Sequence, residues 1–113
     1  MMTVRKGDIF YESWGYDQTN IDFCIVEQLS PTGKTVLCRM MSQKLVETTD
    51  KLAPMAEYVM PDKPFGELFR LHVRTRSNGD PSLVGKYPYC KGDTRPGYFS
   101  KWDGKPLYQS HYA

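Results

Sequence analysis

The feature that most limits this chain is its punctuation: nine glycines and eight prolines in 113 residues cut it into short segments. No dozen consecutive residues keep a helical apolar stripe. The best stretch, Thr48 to Tyr58, is broken by Pro54, whose ring removes a backbone donor and clashes with the preceding turn. Short alternating runs between turn signals predict a β-rich domain instead. A chain of this length has room for one core, so residues 1–113 are read as a single domain. The expected architecture is mainly β, a small, partly open barrel of the SH3-like kind with about five to seven short strands. The alternative is an α+β domain with one short helix in residues 43–60.

The first expected strand is Asp8 to Trp14, with Ile9, Tyr11 and Ser13 on one face and Phe10, Glu12 and Trp14 on the other. Gly15 opens a turn through Asp17-Gln18-Thr19-Asn20. Ile21–Glu27 and Thr35–Met41 then read as a hairpin around Ser30-Pro31-Thr32-Gly33-Lys34. Centring the loop near Pro31 sets Cys24 against Cys38 and Val26 against Val36. One face holds Cys24, Val26, Val36, Cys38 and Met40; the other holds Phe23, Ile25, Leu37 and the stem of Arg39. Apolar groups on both faces predict a hairpin covered on two sides or a strongly curled sheet.

From Ser42 to Gly66 the pattern weakens. Lys44–Thr49 extends the hairpin, Ala56–Met60 reads as a short strand ended by Pro61, and a short helix or ordered loop is expected between. Leu68–Arg76 alternates cleanly, with Phe69, Leu71 and Val73 inward and Ser77-Asn78-Gly79-Asp80-Pro81 as its stop. A short strand follows in Ser82–Tyr89. The last hairpin is expected from Tyr98–Trp102 and Lys105–Tyr112 through Asp103-Gly104, a type I′ turn pairing Trp102 with Lys105 and Lys101 with Pro106.

Period-2 alternation places Arg70, His72, Arg74 and Arg76 on one strand face, about 7 Å between successive members. That spacing resembles the separation of phosphates along a nucleic-acid strand, and exposed aromatics nearby would stack bases. The alternative is a solvated face whose arginines pair with carboxylates of a neighbouring strand. Trp14 and Tyr16, at a strand end, and Trp102, beside a turn, either cap the core or form an aromatic patch for a partner. Charge distribution leans the same way as the arginines: residues 1–60 carry six basic and eight acidic side chains, residues 61–113 nine and five.

Chemistry of other kinds finds little support. His72 and His111 are the only histidines, in no metal-ligand spacing. A Cys90–His111 nucleophile–base pair lacks an orienting third group. Phosphate-loop, dinucleotide and nucleophile-elbow motifs are absent. Asp8, Glu12, Asp17 and Asp22 lack the glycine-centred loop of a calcium site and read as a solvated acidic edge. Three cysteines without a C-x-x-C pair predict reduced thiols. The first eight residues lack the apolar stretch of a signal peptide, and a cytoplasmic location is expected.

Two elements carry a resemblance. Ser13-Trp14-Gly15-Tyr16, Gln18-Thr19-Asn20 and Asp22-Phe23 stand near the start, and Trp102-Asp103-Gly104-Lys105-Pro106 with Tyr112-Ala113 at the end. Together with Gly33-Lys34-Thr35-Val36 and Arg70–Arg74, they resemble a family of small uncharacterised phage, plasmid and bacterial proteins. Cys24 departs from that pattern, standing where an aromatic would follow Phe23. The resemblance implies an intracellular accessory protein of a mobile element and supplies no catalytic residues. The expected function is a non-enzymatic binding module engaging a host protein; the alternative is nucleic-acid binding by the Arg70–Arg76 strand. No membrane, cofactor or metal enters this expectation, and the oligomeric state is left open, a homo-oligomer included.

Overall fold

The structure, a computed structural model, describes residues 4–14, 20–46, 56–86 and 97–110, with backbone alone at Trp14, Asn20, Ala56, Glu57, Tyr108, Gln109 and Ser110. These residues form seven strands and no helix: β1 (Ile9–Trp14), β2 (Asn20–Leu29), β3 (Thr35–Val46), β4 (Ala56–Thr75), β5 (Pro81–Gly85), β6 (Gly97–Lys101) and β7 (Leu107–Ser110). With no helix, none of the described residues forms one long and apolar enough to cross a membrane.

Each of β1 to β6 pairs antiparallel with its neighbours in sequence, and β6 returns to β1. The expected small barrel is thus present, and its six strands close completely. Closure removes the exposed edges an open sheet would present. The seventh strand, β7, lies outside the ring, pairing with Ala56–Val59 of β4.

Alternation sorts the side chains as expected. Phe10, Cys24, Val26, Val36, Cys38, Met40, Leu71, Leu83 and Phe99 are buried together in the barrel interior. The opposite face of β1 and β2 is also covered. Ile21 and Phe23 are buried there with Met41 and Val59, and Ile9, Tyr11, Ile25, Trp102 and Leu107 pack against them. Burying such a side chain stabilises by about 1.5–3 kcal/mol relative to exposure. The second cluster therefore explains why β2 is apolar on both sides.

Registers depart from the expectation in three places, each with a physical cause. In the central hairpin Cys24 faces Met40 and Val26 faces Cys38, then Gln28 faces Leu37. Glu27 is the extra residue of a bulge, so the turn sits further along than a symmetric loop would put it. The shift preserves parity over Cys24 and Val26, which is why the face assignments survive.

Second, residues 43–60 hold no helix where described. β3 runs on to Val46 and β4 begins at Ala56, passing through Pro61 instead of ending there. Prolines are tolerated in strands at edges and bulges. Pro61 and Pro64 lie between the β7 pairing, which stops at Val59, and the β5 pairing, which starts at His72. There β4 has β3 alone as a neighbour, and both its bulges fall there. Gly66, Glu67 and Leu68 stand opposite Arg39, and Asp62 and Lys63 stand opposite Ser42. Gly66 has φ +78°, a conformation glycine adopts without Cβ strain. Arg39 donates from Nη1 to the Gly66 carbonyl, and its Nε lies 3.9 Å from Glu27, the β2 bulge residue. Ser42 Oγ donates to the Lys63 carbonyl (3.3 Å) and accepts from the Lys63 amide (3.2 Å). The expected short strand after Pro81 is confined to Pro81–Gly85 among the described residues.

Third, the C-terminal hairpin does not form. Both edges of β6 are occupied, by β1 and β5, so β7 crosses to β4. A type I′ turn needs positive φ at both central residues. Gly104 has φ +93°, but no described non-glycine residue has positive φ, Asp103 included. Asp103 Oδ1 instead accepts from the Lys105 amide at 3.0 Å, a local turn that redirects the chain.

Candidate functional site

The C-terminal half of β4 presents Arg70, His72 and Arg74 outward, all exposed, while Leu71 is buried and Phe69 and Val73 pack against the interior. The cross-strand neighbours of this row decide its electrostatics. Arg70 faces Leu37; His72 faces Thr35 on β3 and Val84 on β5; Arg74 faces Ser82. None is acidic, and the row makes no ion pair with a described residue. The carboxylate ladder that would have neutralised it is not built. Two exposed lysines lie at its margins: the Lys34 carbonyl accepts from the Val73 amide (2.8 Å), and Lys86 follows Gly85, which abuts the Arg70 backbone.

Arg76 does not continue the row. It lies just past the end of β4, in the turn where its carbonyl accepts from Gly79 and its amide donates to the Asp80 carbonyl. Its side chain folds over β5 and β6 instead. The guanidinium carbon lies 5.1 Å from the centre of the Tyr98 ring, within cation–π range, and Nη2 donates to Ser100 Oγ. Its Nε is buried with no hydrogen-bond partner. Arg74, Ser82, Ser100 and Tyr11 form one outward row across four strands. Ser82 is nonetheless fully buried, roofed by Tyr98 and Arg76. The Tyr98 phenol is held below its ordinary pKa by a side-chain hydrogen bond with Ser82 and, less strongly, by Arg76; desolvation acts in the opposite direction.

Tyr98 is 46% exposed and stands two strands from His72, through Val84. Sequence reading missed it as a surface residue. The signal was the alternation Tyr98-Phe99-Ser100, in which a buried Phe99 forces Tyr98 outward.

The other expected site residues separate. Trp102 is half-buried and turned inward: its ring meets Phe23 edge-on at 6.1 Å and 77°, and its indole N–H donates to the Lys105 carbonyl at 2.8 Å. It caps the second cluster. Trp14 ends β1, where its backbone alone is described; Tyr16, Cys90 and His111 lie outside the described residues. Asp8 is not part of a solvated acidic edge; its carboxylate accepts from the Arg5 amide and lies 3.8 Å from Lys101 Nζ. Among the described residues no three His, Cys, Asp or Glu side chains converge as metal ligands. Cys24 and Cys38 are buried free thiols, and a side-chain hydrogen bond between them, reinforced by burial, raises the Cys24 pKa well above its usual value.

An open cleft of about 510 Å³ adjoins Arg76 where β6 meets β1. Tyr11, Pro81 and Trp102 line it together with Asp80, Ser100, Lys101 and Asp103. No protein-family model, curated protein or solved structure matches the chain.

Proposed function

We propose that the protein binds single-stranded nucleic acid on the β4–β6 face of its barrel, without catalysing a reaction. The observation that carries this reading is the row Arg70, His72 and Arg74, whose cross-strand neighbours are Leu37, Thr35, Val84 and Ser82. Cations without a carboxylate partner among the described residues supply the salt-dependent attraction that dominates phosphate binding. Tyr98, exposed beside them, offers a stacking surface for a base. The resemblance of the two terminal elements supports an accessory role in a phage, plasmid or other mobile element. A cytoplasmic setting suits the free thiols Cys24 and Cys38.

The test is fluorescence anisotropy of a labelled oligonucleotide across a salt series. Binding at low salt should weaken steeply with added salt. Arg70→Ala/Arg74→Ala should reduce the slope of log K against log salt by about 1.4, at roughly 0.7 per phosphate contact on a single strand. Absence of binding at low salt refutes the reading.

A host protein is the second reading, favoured by Phe65 (39% exposed), beside the β4 bulge, and Leu68 (44% exposed), within it. Capture from a host lysate separates the two: a protein partner that survives nuclease supports the second, and recovery of nucleic acid alone supports the first.

A further inference from the structure

The cleft beside Arg76 deepens the nucleic-acid reading, on which this inference rests. Its walls include two aromatic side chains, Tyr11 from β1 and Trp102 after β6, with Pro81 at the start of β5. Its charged groups are Arg76 and Lys101 against Asp80 and Asp103, a formally neutral set. That balance distinguishes it from the cationic row a short distance away on β4. A phosphate gains attraction along the row and meets two carboxylates in the cleft. An uncharged planar group whose edges carry both donors and acceptors suits the cleft better, because it meets ring faces, acidic acceptors and basic donors together.

Two details point to an occupant. Arg76, part of the cleft lining, is held in a fixed pose, with Nη2 donating to Ser100 Oγ and the guanidinium over Tyr98. The carboxylates are also held in place by their own turns: Asp80 accepts from the Asn78 side chain at 3.1 Å, and Asp103 accepts from the Lys105 amide at 3.0 Å. Each keeps further acceptor capacity. The volume, about 510 Å³, falls within the range of small-ligand sites, roughly 300–1,000 Å³.

We propose that the cleft receives one unpaired nucleobase of a strand whose phosphates lie along Arg74, His72 and Arg70. Arg76, two residues beyond Arg74, stands where the strand turns from the row into the cleft.

Trp14→Phe leaves Trp102 as the sole tryptophan and makes its emission a direct report on the cleft. This variant is titrated with an oligothymidine strand of about eight nucleotides, a typical single-strand site size. A strand of equal length with abasic sugars throughout serves as the comparison. The thymidine strand should quench Trp102 and bind about tenfold or more tightly than the abasic strand, the scale of one stacked base. Arg76→Gln should bring that ratio close to one. Equal affinities with no change in Trp102 emission overturn the base site and leave phosphate binding by the row intact. Failure of both strands to bind at low salt overturns the nucleic-acid reading itself, and the base site with it.

Discussion

Ala56–Pro64 and Leu68–Thr75 belong to one strand, yet they meet different surroundings. The first half pairs with the far end of β3 and with β7, and its buried side chain Val59 joins the cluster outside the barrel. The second half pairs with the near end of β3 and with β5, sends Leu71 into the interior and leaves arginines on its outer face. What separates them is the cover on the outer side. β7 and Trp102 complete the apolar cluster associated with the first half. Among the described residues Tyr98 and Arg76 reach over the sheet beside the second half, and they roof Ser82 and not the arginines. A strand can thus be half scaffold and half surface, with Gly66 dividing the two.

The largest effect tests the interior. Leu71→Ala should cost about 2–5 kcal/mol in denaturant unfolding. Val59→Ala should cost less, about 1.6 kcal/mol at roughly 0.8 per methylene removed. Equal losses would mean that the outer cluster carries as much of the fold as the barrel, and the contrast between the halves would break. Gly85→Ala comes next, at about 1–3 kcal/mol for forcing volume into a packed core. An added Cβ there would lie 2.9 Å from Leu71 Cδ2 and 3.3 Å from the Arg70 carbonyl, so the loss should be visible in thermal unfolding.

Gly66→Ala should cost about 1–2 kcal/mol, the penalty of a left-handed residue. The space is open, with nothing within 4 Å of the added carbon. A neutral result in denaturant unfolding would show that the division between halves does not depend on that turn. The smallest effect is a pH slope. The folded state raises the Cys24 pKa, so its contribution is complete below the ordinary thiol value of about 8.5 and declines as pH rises above it, where the unfolded chain ionises first. Urea midpoints measured from neutral pH to about pH 10 should fall more steeply for wild type than for Cys24→Ala. Parallel curves would contradict a dry, shared environment for the two thiols.

Much of this was legible in single elements. Alternation in Ile21–Glu27, Thr35–Met41 and Leu68–Arg76 identified both faces of the central hairpin and the inward residues of β4. The exposed arginine row followed from the same periodicity. What stayed hidden depended on partners remote in sequence. The bulge at Glu27 is tied to Arg39 and, through it, to Gly66, a relation that no local pattern encodes. Asp103-Gly104 announced a turn correctly but not its destination, because β7 is diverted by the occupancy of β6. Pro61 looked like a strand end, although β4 simply has one neighbour there. The roof of Arg76 over Tyr98 joins two strands, so the sequence pattern grouped Arg76 with the row it leaves.

The joint between β1 and β6 has a consequence for how the barrel opens. Every other seam of the ring links strands consecutive in sequence, whereas this one brings together the first and last through two residue pairs, Phe10–Lys101 and Tyr11–Ser100. It closes the longest loop for the fewest ladder contacts, so it bears the greatest entropic burden per bond. Amide exchange should find its earliest breathing here, ahead of the β3–β4 seam. Because Tyr11, Ser100 and Lys101 also line the cleft, any molecule lodged there would act as a rivet across the ring, and its occupancy would register as slower opening of the barrel.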